Sequence, residues 1–413
     1  KVDSICRSGI MRVLMVNKFL YPKGGAETYI FKLGEYLKAA GHEVEYFGMQ
    51  DDKNIVGNTA GEYTQNMDFH GGGAGRFLYP FRIIYSLSAR KKLRRIINAF
   101  KPHIIHLNNI NYQITPSIID EIKGHGIPVV QTVHDVQMLC PSHLMFDLNK
   151  KQICEKCLSG SKLNCVKGRC IHGSLAKSAV GTLEAWLYGI KGTYRLVDKY
   201  ICPSRFIEEK LLQKKRLGKY IYRGKTEVIH NYIELSEENT SYSKEDYILY
   251  FGRFSVEKGV DILAEAIRAL PQIPFKIAGS GPMENIFRDI PNAELVGFKT
   301  GEELRRLIAR AYASVYPSVW YENCPLSVLE SEALGTPVIS SGLGGLPELV
   351  EDGETGIILK EVTAEALTDS IKTLWDNPDL AREMSKNCLK KRNRMITLDK
   401  YGARIEEIYS EVQ

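Results

Sequence analysis

Arg12-Val-Leu-Met-Val-Asn-Lys-Phe-Leu-Tyr-Pro-Lys-Gly-Gly-Ala-Glu27 is the stretch on which the fold turns. Its first five residues, Arg12 and the apolar run Val13–Val16, read as a buried strand. Lys23-Gly24-Gly25 is a glycine turn, and from 26 to 40 the apolar residues Tyr29, Ile30, Leu33 and Leu37 recur at helical spacing. Gly41 ends that helix, and the next strand is expected at 43–47. The alternation continues outward. Strands are expected at 103–107, 128–133 and 199–202, with helices at 85–100 and 116–123. The back half repeats it, with strands at 247–251, 275–278, 293–296, 313–316 and 338–340. Two charged helices, 363–375 and 378–392, close the pattern.

Strand–helix alternation in both halves predicts an α/β protein with two doubly wound, Rossmann-like domains. Their strand C-termini are expected to face a central cleft. The expected first domain is 11–215, with a Cys-rich insert at about 140–172. A second domain covers 216–395, and a final helix at 396–413 is expected to pack back on the first domain.

Composition is consistent with this. The chain has 413 residues, 44% hydrophobic and 25% charged, which excludes disordered, collagenous and coiled-coil classes. No apolar stretch approaches the ~20 residues of a membrane span. Lys1, Asp3, Arg7 and Arg12 interrupt any secretory leader at the start. Nine cysteines, an odd number, point to a reducing compartment and a cytoplasmic location. The net charge of +6 is uneven, since residues 1–200 carry 27 Lys and Arg against 16 Asp and Glu. A basic front half suits an anionic surface or a phosphorylated substrate.

Four segments carry candidate chemistry. Glu322-Asn-Cys-Pro-Leu-Ser-Val-Leu-Glu330 follows a strand, and Pro325 suits the first position of a helix. The amides of Leu326, Ser327 and Val328 would then be free donors, with Glu322 and Glu330 as acceptors for a hydroxyl-rich ligand. Phe251-Gly-Arg-Phe-Ser-Val-Glu-Lys-Gly259 places Arg253 and Lys258 beside a helix start, where two cations can neutralise a diphosphate. Gly24 and Gly25 let backbone amides approach a ligand closely. His134 falls just beyond a buried strand. Taken singly, each segment also reads as ordinary surface or turn chemistry.

Taken together, they resemble the family 4 retaining glycosyltransferases of the GT-B fold. The signatures are Gly24-Gly25-Ala26-Glu27, His134-Asp135, Cys202-Pro-Ser-Arg205, Gly252-Arg253 with Glu257-Lys258-Gly259, Gly279-Ser-Gly281-Pro282, the two glutamates Glu322 and Glu330, and Gly344-Gly345 with Pro347-Glu348. The resemblance implies transfer of a sugar from a nucleoside-diphosphate sugar to a lipid-linked or polysaccharide acceptor in cell-surface glycan biosynthesis. It further implies that Arg253 and Lys258 bind the diphosphate beside Gly25 and Gly279, and that Glu330 holds the ribose. Glu322 with Asn323, Cys324, Pro325 and Leu326 would hold the donor sugar, and His134 would contact it from the front domain. Gly297-Phe298-Lys299 would lie against the base. Where many members carry Gly-Phe-Gly after the first glutamate, this chain has Asn323-Cys324-Pro325, which leaves the sugar open.

No Asp-x-Asp pair occurs, so no catalytic metal is expected, and the two cations take its electrostatic role. A GT-B-fold epimerase or hydrolase is the alternative reading. Cys154, Cys157, Cys165 and Cys170, with Cys140 in reserve, carry a spacing suited to a structural zinc; free thiols and disulfides are the competing readings. Finally, Arg76–Tyr85 and Arg90–Arg95 interleave aromatic and basic residues, a pattern suited to peripheral binding on an anionic membrane. No nucleic-acid signature accompanies the charge.

Overall fold

The computed structural model describes residues 9–65, 84–216, 219–234 and 243–413. The chain divides into two compact units. One holds the chain up to Leu144, Glu155–Ile229 and Leu398–Gln413; the other holds Met145–Cys154 and His230–Thr397.

In the first unit, β1 (Arg12–Val16), β2 (Glu43–Phe47), β3 (Ile104–Leu107), β4 (Val129–Thr132), β5 (Lys199–Cys202) and β6 (Thr226–Val228) form one sheet. Its order is β6-β5-β4-β3-β1-β2, every pair parallel. Continuous apolar residues such as Val13–Val16 of β1 are buried on both faces, as a parallel sheet covered by helices requires. Helices α1 (Gly25–Ala39), α2 (Leu87–Phe100), α3 (Ser117–Gly124), α4 (Leu175–Lys191) and α5 (Arg205–Leu212) belong to this unit.

The second sheet runs β9-β8-β7-β10-β11-β12, also all parallel. Its strands are β7 (Ile248–Arg253), β8 (Phe275–Ser280), β9 (Ala293–Gly297), β10 (Ala313–Tyr316), β11 (Val338–Ser341) and β12 (Gly356–Leu359). Helices α6 (Val260–Ala269), α7 (Gly301–Arg310), α8 (Leu326–Ala333), α9 (Ala364–Trp375) and α10 (Pro378–Arg392) complete the unit. One buried cluster, from Ile248 and Phe275 to Leu367 and Ile371, fills one face of the sheet; Leu249, Val328 and Leu346 belong to a second cluster. Each strand order reverses once, at β3-β1 and at β7-β10, so each unit has one topological switch point where side chains beyond the strand ends can meet a ligand.

Helix α11 (Leu398–Val412) belongs to the first unit. Tyr401 Oη lies 2.9 Å from Tyr29 Oη, Tyr409 Oη 2.7 Å from His106 Nδ1, and Glu406 Oε1 2.6 Å from His42 Nε2. A Cβ at Gly402 would lie 2.2 Å from the Tyr36 ring, so only glycine permits this approach.

Two expectations change here. Most of the basic run 90–95 is committed to its own unit: Arg90 Nε and Arg94 Nε donate to the buried Glu121 carboxylate at 3.0 and 2.6 Å, Arg95 pairs with Glu62, and Lys92 donates to the Tyr63 carbonyl. The Arg94 and Arg90 hydrogen bonds, against the burial, hold Glu121 down to about 2. Arg76, Phe77, Tyr79, Phe81 and Arg82 lie outside the described residues.

The zinc ligand set is the second correction. Among the described residues no three His, Cys, Asp or Glu side chains gather as a metal site. Cys154 groups with the second unit, its amide bonded to the Met145 carbonyl, whereas Cys157, Cys165 and Cys170 lie in the first. A hydrogen bond between the Cys165 and Cys170 thiols, with burial, pushes the Cys165 thiol up. No disulfide joins the described cysteines.

Candidate active site

In the second unit, Arg253 ends β7 and the loop beyond it carries Lys258. Gly259 follows with φ +68°, and a Cβ there would sit 1.9 Å from the Pro317 carbonyl. That close approach lays the loop against the segment that follows β10. Lys258 Nζ donates to Glu322 Oε1 at 2.7 Å and also stands 5.3 Å from the Trp320 ring centroid. Ser318 Oγ and Trp320 Nε1 donate to the same oxygen at 2.6 and 2.9 Å. Burial pushes the Glu322 carboxyl up, but the Lys258 charge and the three donors outweigh it, so the group stays below its ordinary range. Its other oxygen, Oε2, has no partner among the described residues and is available to a ligand hydroxyl.

The Glu322 backbone is fixed as well. Its carbonyl accepts from the Gly345 amide at 2.7 Å, and a Cβ at Gly344, φ +72°, would lie 2.0 Å from that carbonyl. Gly279 approaches the β7 end in the same way, 1.9 Å from the Gly252 carbonyl for a would-be Cβ. Arg253 turns to Glu257, with Nε 3.3 Å from Ser255 Oγ.

Pro325 caps α8 without entering it, and the Val328 amide bonds to the Pro325 carbonyl at 3.2 Å. The free donors at this helix start are therefore Leu326 and Ser327, not Val328. Glu330 is half-buried inside α8, and its carboxylate has no hydrogen-bond partner among the described residues. Burial, then the nearby Glu234, push its carboxyl up to about 7. Cys324 is buried, with its sulfur 3.3 Å from the Asn231 amide; burial raises the thiol to about 12, so it is neutral and no nucleophile. Asn323 lies between these two anchors. Beyond β9, Gly297 has φ +73°, Phe298 is exposed, and Lys299 faces Glu303 at 3.5 Å.

In the first unit, α1 starts at Gly25 with Gly24 as its cap. Residues just past β1, β3 and β4 form a polar cluster. His134 Nε2 donates to Asn108 Oδ1 at 2.9 Å, and burial pushes its imidazole down to about 4, so it is neutral. Asn111 Nδ2 donates to Asp135 Oδ2 at 3.2 Å and to His143 Nδ1 at 3.1 Å. Burial raises Asp135 to about 6, while burial and Lys23 lower Lys18 to about 8. Glu27 is buried and accepts from Asn17 Nδ2 at 3.0 Å. Sequence reasoning missed Lys18, Asn108, Asn111, His143, Ser318 and Trp320. The rule that ligands meet residues beyond strand C-termini would have flagged Lys18, Asn108 and Ser318, each within two residues of a strand end.

Two doubly wound units, one with a cation–carboxylate pair beside a helix start, define the class of nucleotide-sugar-dependent transferases with GT-B architecture. The model of Glycosyltransferase Family 4 matches residues 23–237, and that of Glycosyl transferases group 1 matches 231–391. The chain belongs to Glycosyltransferase Family 4: it is a retaining glycosyltransferase of a metal-independent family, moving a sugar from a nucleotide sugar. An uncharacterized glycosyltransferase of Methanocaldococcus jannaschii is 26% identical over 341 residues, 80% of this chain and 89% of that protein. Sucrose-phosphate synthase from Thermosynechococcus elongatus shares the fold with a TM-score of 0.70 at 20% identity, over 97% of this chain and 98% of that one. A structure of HepE from Anabaena, in complex with UDP-glucose, has a TM-score of 0.66 at 16% identity, over 97% of this chain and 100% of that one.

Proposed function

We propose that this enzyme takes a UDP-hexose as donor and transfers the hexose, with retention, to a lipid-linked or polysaccharide acceptor of a cell-surface glycan, working at an anionic membrane. The observation that carries the donor side is the Glu322 carboxylate. Lys258, Ser318 and Trp320 saturate one oxygen and leave the other for a sugar hydroxyl. HepE, bound to UDP-glucose on the same fold, supports the choice of donor.

In this reading Lys258 and Arg253 face the diphosphate and stabilise the charge that grows as it leaves. The Leu326 and Ser327 amides add fixed dipoles. Glu330 accepts from the ribose hydroxyls, and Gly297-Phe298-Lys299 borders the base. Gly24, Gly25 and Gly279 give the phosphates close backbone approach. His134, neutral and fixed by Asn108, offers Nδ1 to a substrate hydroxyl. No enzymic nucleophile is assigned: the acceptor hydroxyl attacks the face that the diphosphate leaves, and the departing phosphate takes its proton.

The test is calorimetry against a panel of UDP-, GDP- and ADP-sugars, followed by product analysis with the donor that binds. A retained anomeric configuration in a new glycoside supports the proposal. A free sugar or an epimerised donor as main product would favour the hydrolase or epimerase alternative.

A further inference from the structure

Helix α4 (Leu175–Lys191) is polar inside and apolar outside. Its buried positions are Ser178, Gly181, Thr182, Glu184 and Tyr188. Ser178 Oγ accepts from the Ile171 amide at 3.0 Å, and Thr182 Oγ1 donates to the Lys162 carbonyl at 3.2 Å. Pointing outward are Leu175, Leu183, Trp186 and Ile190, with 55%, 51%, 38% and 72% exposure. Their spacing keeps them on one helical face. In water such a face is unfavourable, and a run of large apolar side chains on one helix marks a contact surface. Beside it opens a cavity of about 490 Å³, whose walls include Trp186, Ile190, Met138, Tyr194 and Tyr222.

Charge identifies the occupant. The helix carries three charged residues: Lys177, exposed near its start; Lys191, exposed at its end and paired with Asp120 at 2.6 Å; and Glu184, which is buried. The exposed Arg195 follows the helix. Apolar residues between flanking cations, with a tryptophan among them, match the boundary of an anionic bilayer, where the ring sits at headgroup level and lysines reach phosphates.

We propose that the outward face of α4 is a membrane-contact surface, which inserts Leu183, Trp186 and Ile190 into an anionic leaflet while the adjoining cavity receives an acyl chain. Its purpose, to meet a lipid-linked acceptor, rests on the function proposed above; the surface itself does not. It also relocates membrane contact from the 90–95 run, whose arginines are held by Glu121 and Glu62.

The experiment is co-sedimentation of the full chain with phosphatidylcholine vesicles, with and without phosphatidylglycerol, at low and high salt. The variant Leu183→Ser/Ile190→Ser removes apolar contact without adding charge, and Lys91→Ser tests the earlier surface. Wild type is expected to bind the anionic vesicles at low salt and release in high salt. The double variant should lose at least about tenfold in affinity. Brominated lipid should quench wild-type fluorescence, less so in Trp186→Phe. UDP affinity, unchanged in every variant, reports that the fold is intact. Absence of binding at low salt, equal binding by wild type and double variant, or loss only in Lys91→Ser would each overturn the proposal. Self-association lost in the double variant, without vesicle binding by wild type, would assign the face to a protein partner instead. Vesicle binding without sugar transfer would count against the transferase reading alone.

Discussion

Lys258 Nζ lies 2.7 Å from Glu322 Oε1, an ion pair between residues 64 apart in the chain. It joins the loop beyond β7 to the loop before α8. The pair keeps a buried carboxylate ionised and leaves Glu322 Oε2 open, so in the proposed reading charge neutralisation and sugar contact share one hinge of geometry.

Lys258→Ala should therefore act in two ways. The lost cation should raise the barrier by about 2–4 kcal/mol, seen in kcat. Burial would also act on Glu322 with its main counter-charge gone, so its carboxyl should titrate higher and the acid limb of the kcat/KM profile should move to higher pH. The sign follows from the lowered native value: the pair's support is present above the ordinary carboxylate range and is lost as pH falls through the depressed one. An unmoved acid limb would detach Glu322 from Lys258.

Glu330→Ala should weaken UDP binding by about 1.5–3 kcal/mol, because ribose hydroxyls lose a charged acceptor. In the free enzyme its carboxyl is raised to about 7 by burial. Ribose hydroxyls favour the ionised form, so UDP affinity should rise between pH 6 and 8 with proton release. Calorimetry in buffers of different ionisation enthalpy measures both.

Gly344→Ala should impair the donor site with no change in its side-chain chemistry. A Cβ 2.0 Å from the Glu322 carbonyl, at φ +72°, forces that backbone to shift. Donor affinity and kcat should both fall, and a thermal melt should show a modest loss of stability. Wild-type kinetics would show that the 344–322 contact is not needed.

Glu121→Gln should remove the anchor of Arg94 and Arg90 and lower the melting temperature at neutral pH. Because the native carboxyl is held at about 2 against an ordinary 4.5, wild type should lose this contribution as pH falls across that interval. The variant should show less acid sensitivity there, measured by melts from pH 6 to 3.

In the proposed reading Lys258, Arg253 and the α8 amides carry the charge of the leaving group, so turnover should survive EDTA. Loss of activity on chelation, restored by Mg²⁺, would contradict that account.

Local pattern by itself determined much of this protein. The glycine turn at Gly24-Gly25, the apolar run at Val13–Val16, and the order of Arg253, Lys258, Glu322 and Glu330 were legible, because strand and helix periodicity and strand-end motifs are short-range properties. Only the tertiary structure decided which groups are paired. Ser318 and Trp320 gained a role when their loop folded back on Glu322, and among the described residues the cysteines did not gather as a metal site. The basic run at 90–95 looked like a free charged surface until α3 supplied Glu121. In α4, likewise, packing turned the few polar residues inward and leucine, tryptophan and isoleucine outward. Charge and hydrophobicity are written in the sequence, but whether a group meets water or a partner depends on chain segments far from it, and folding alone brings those together.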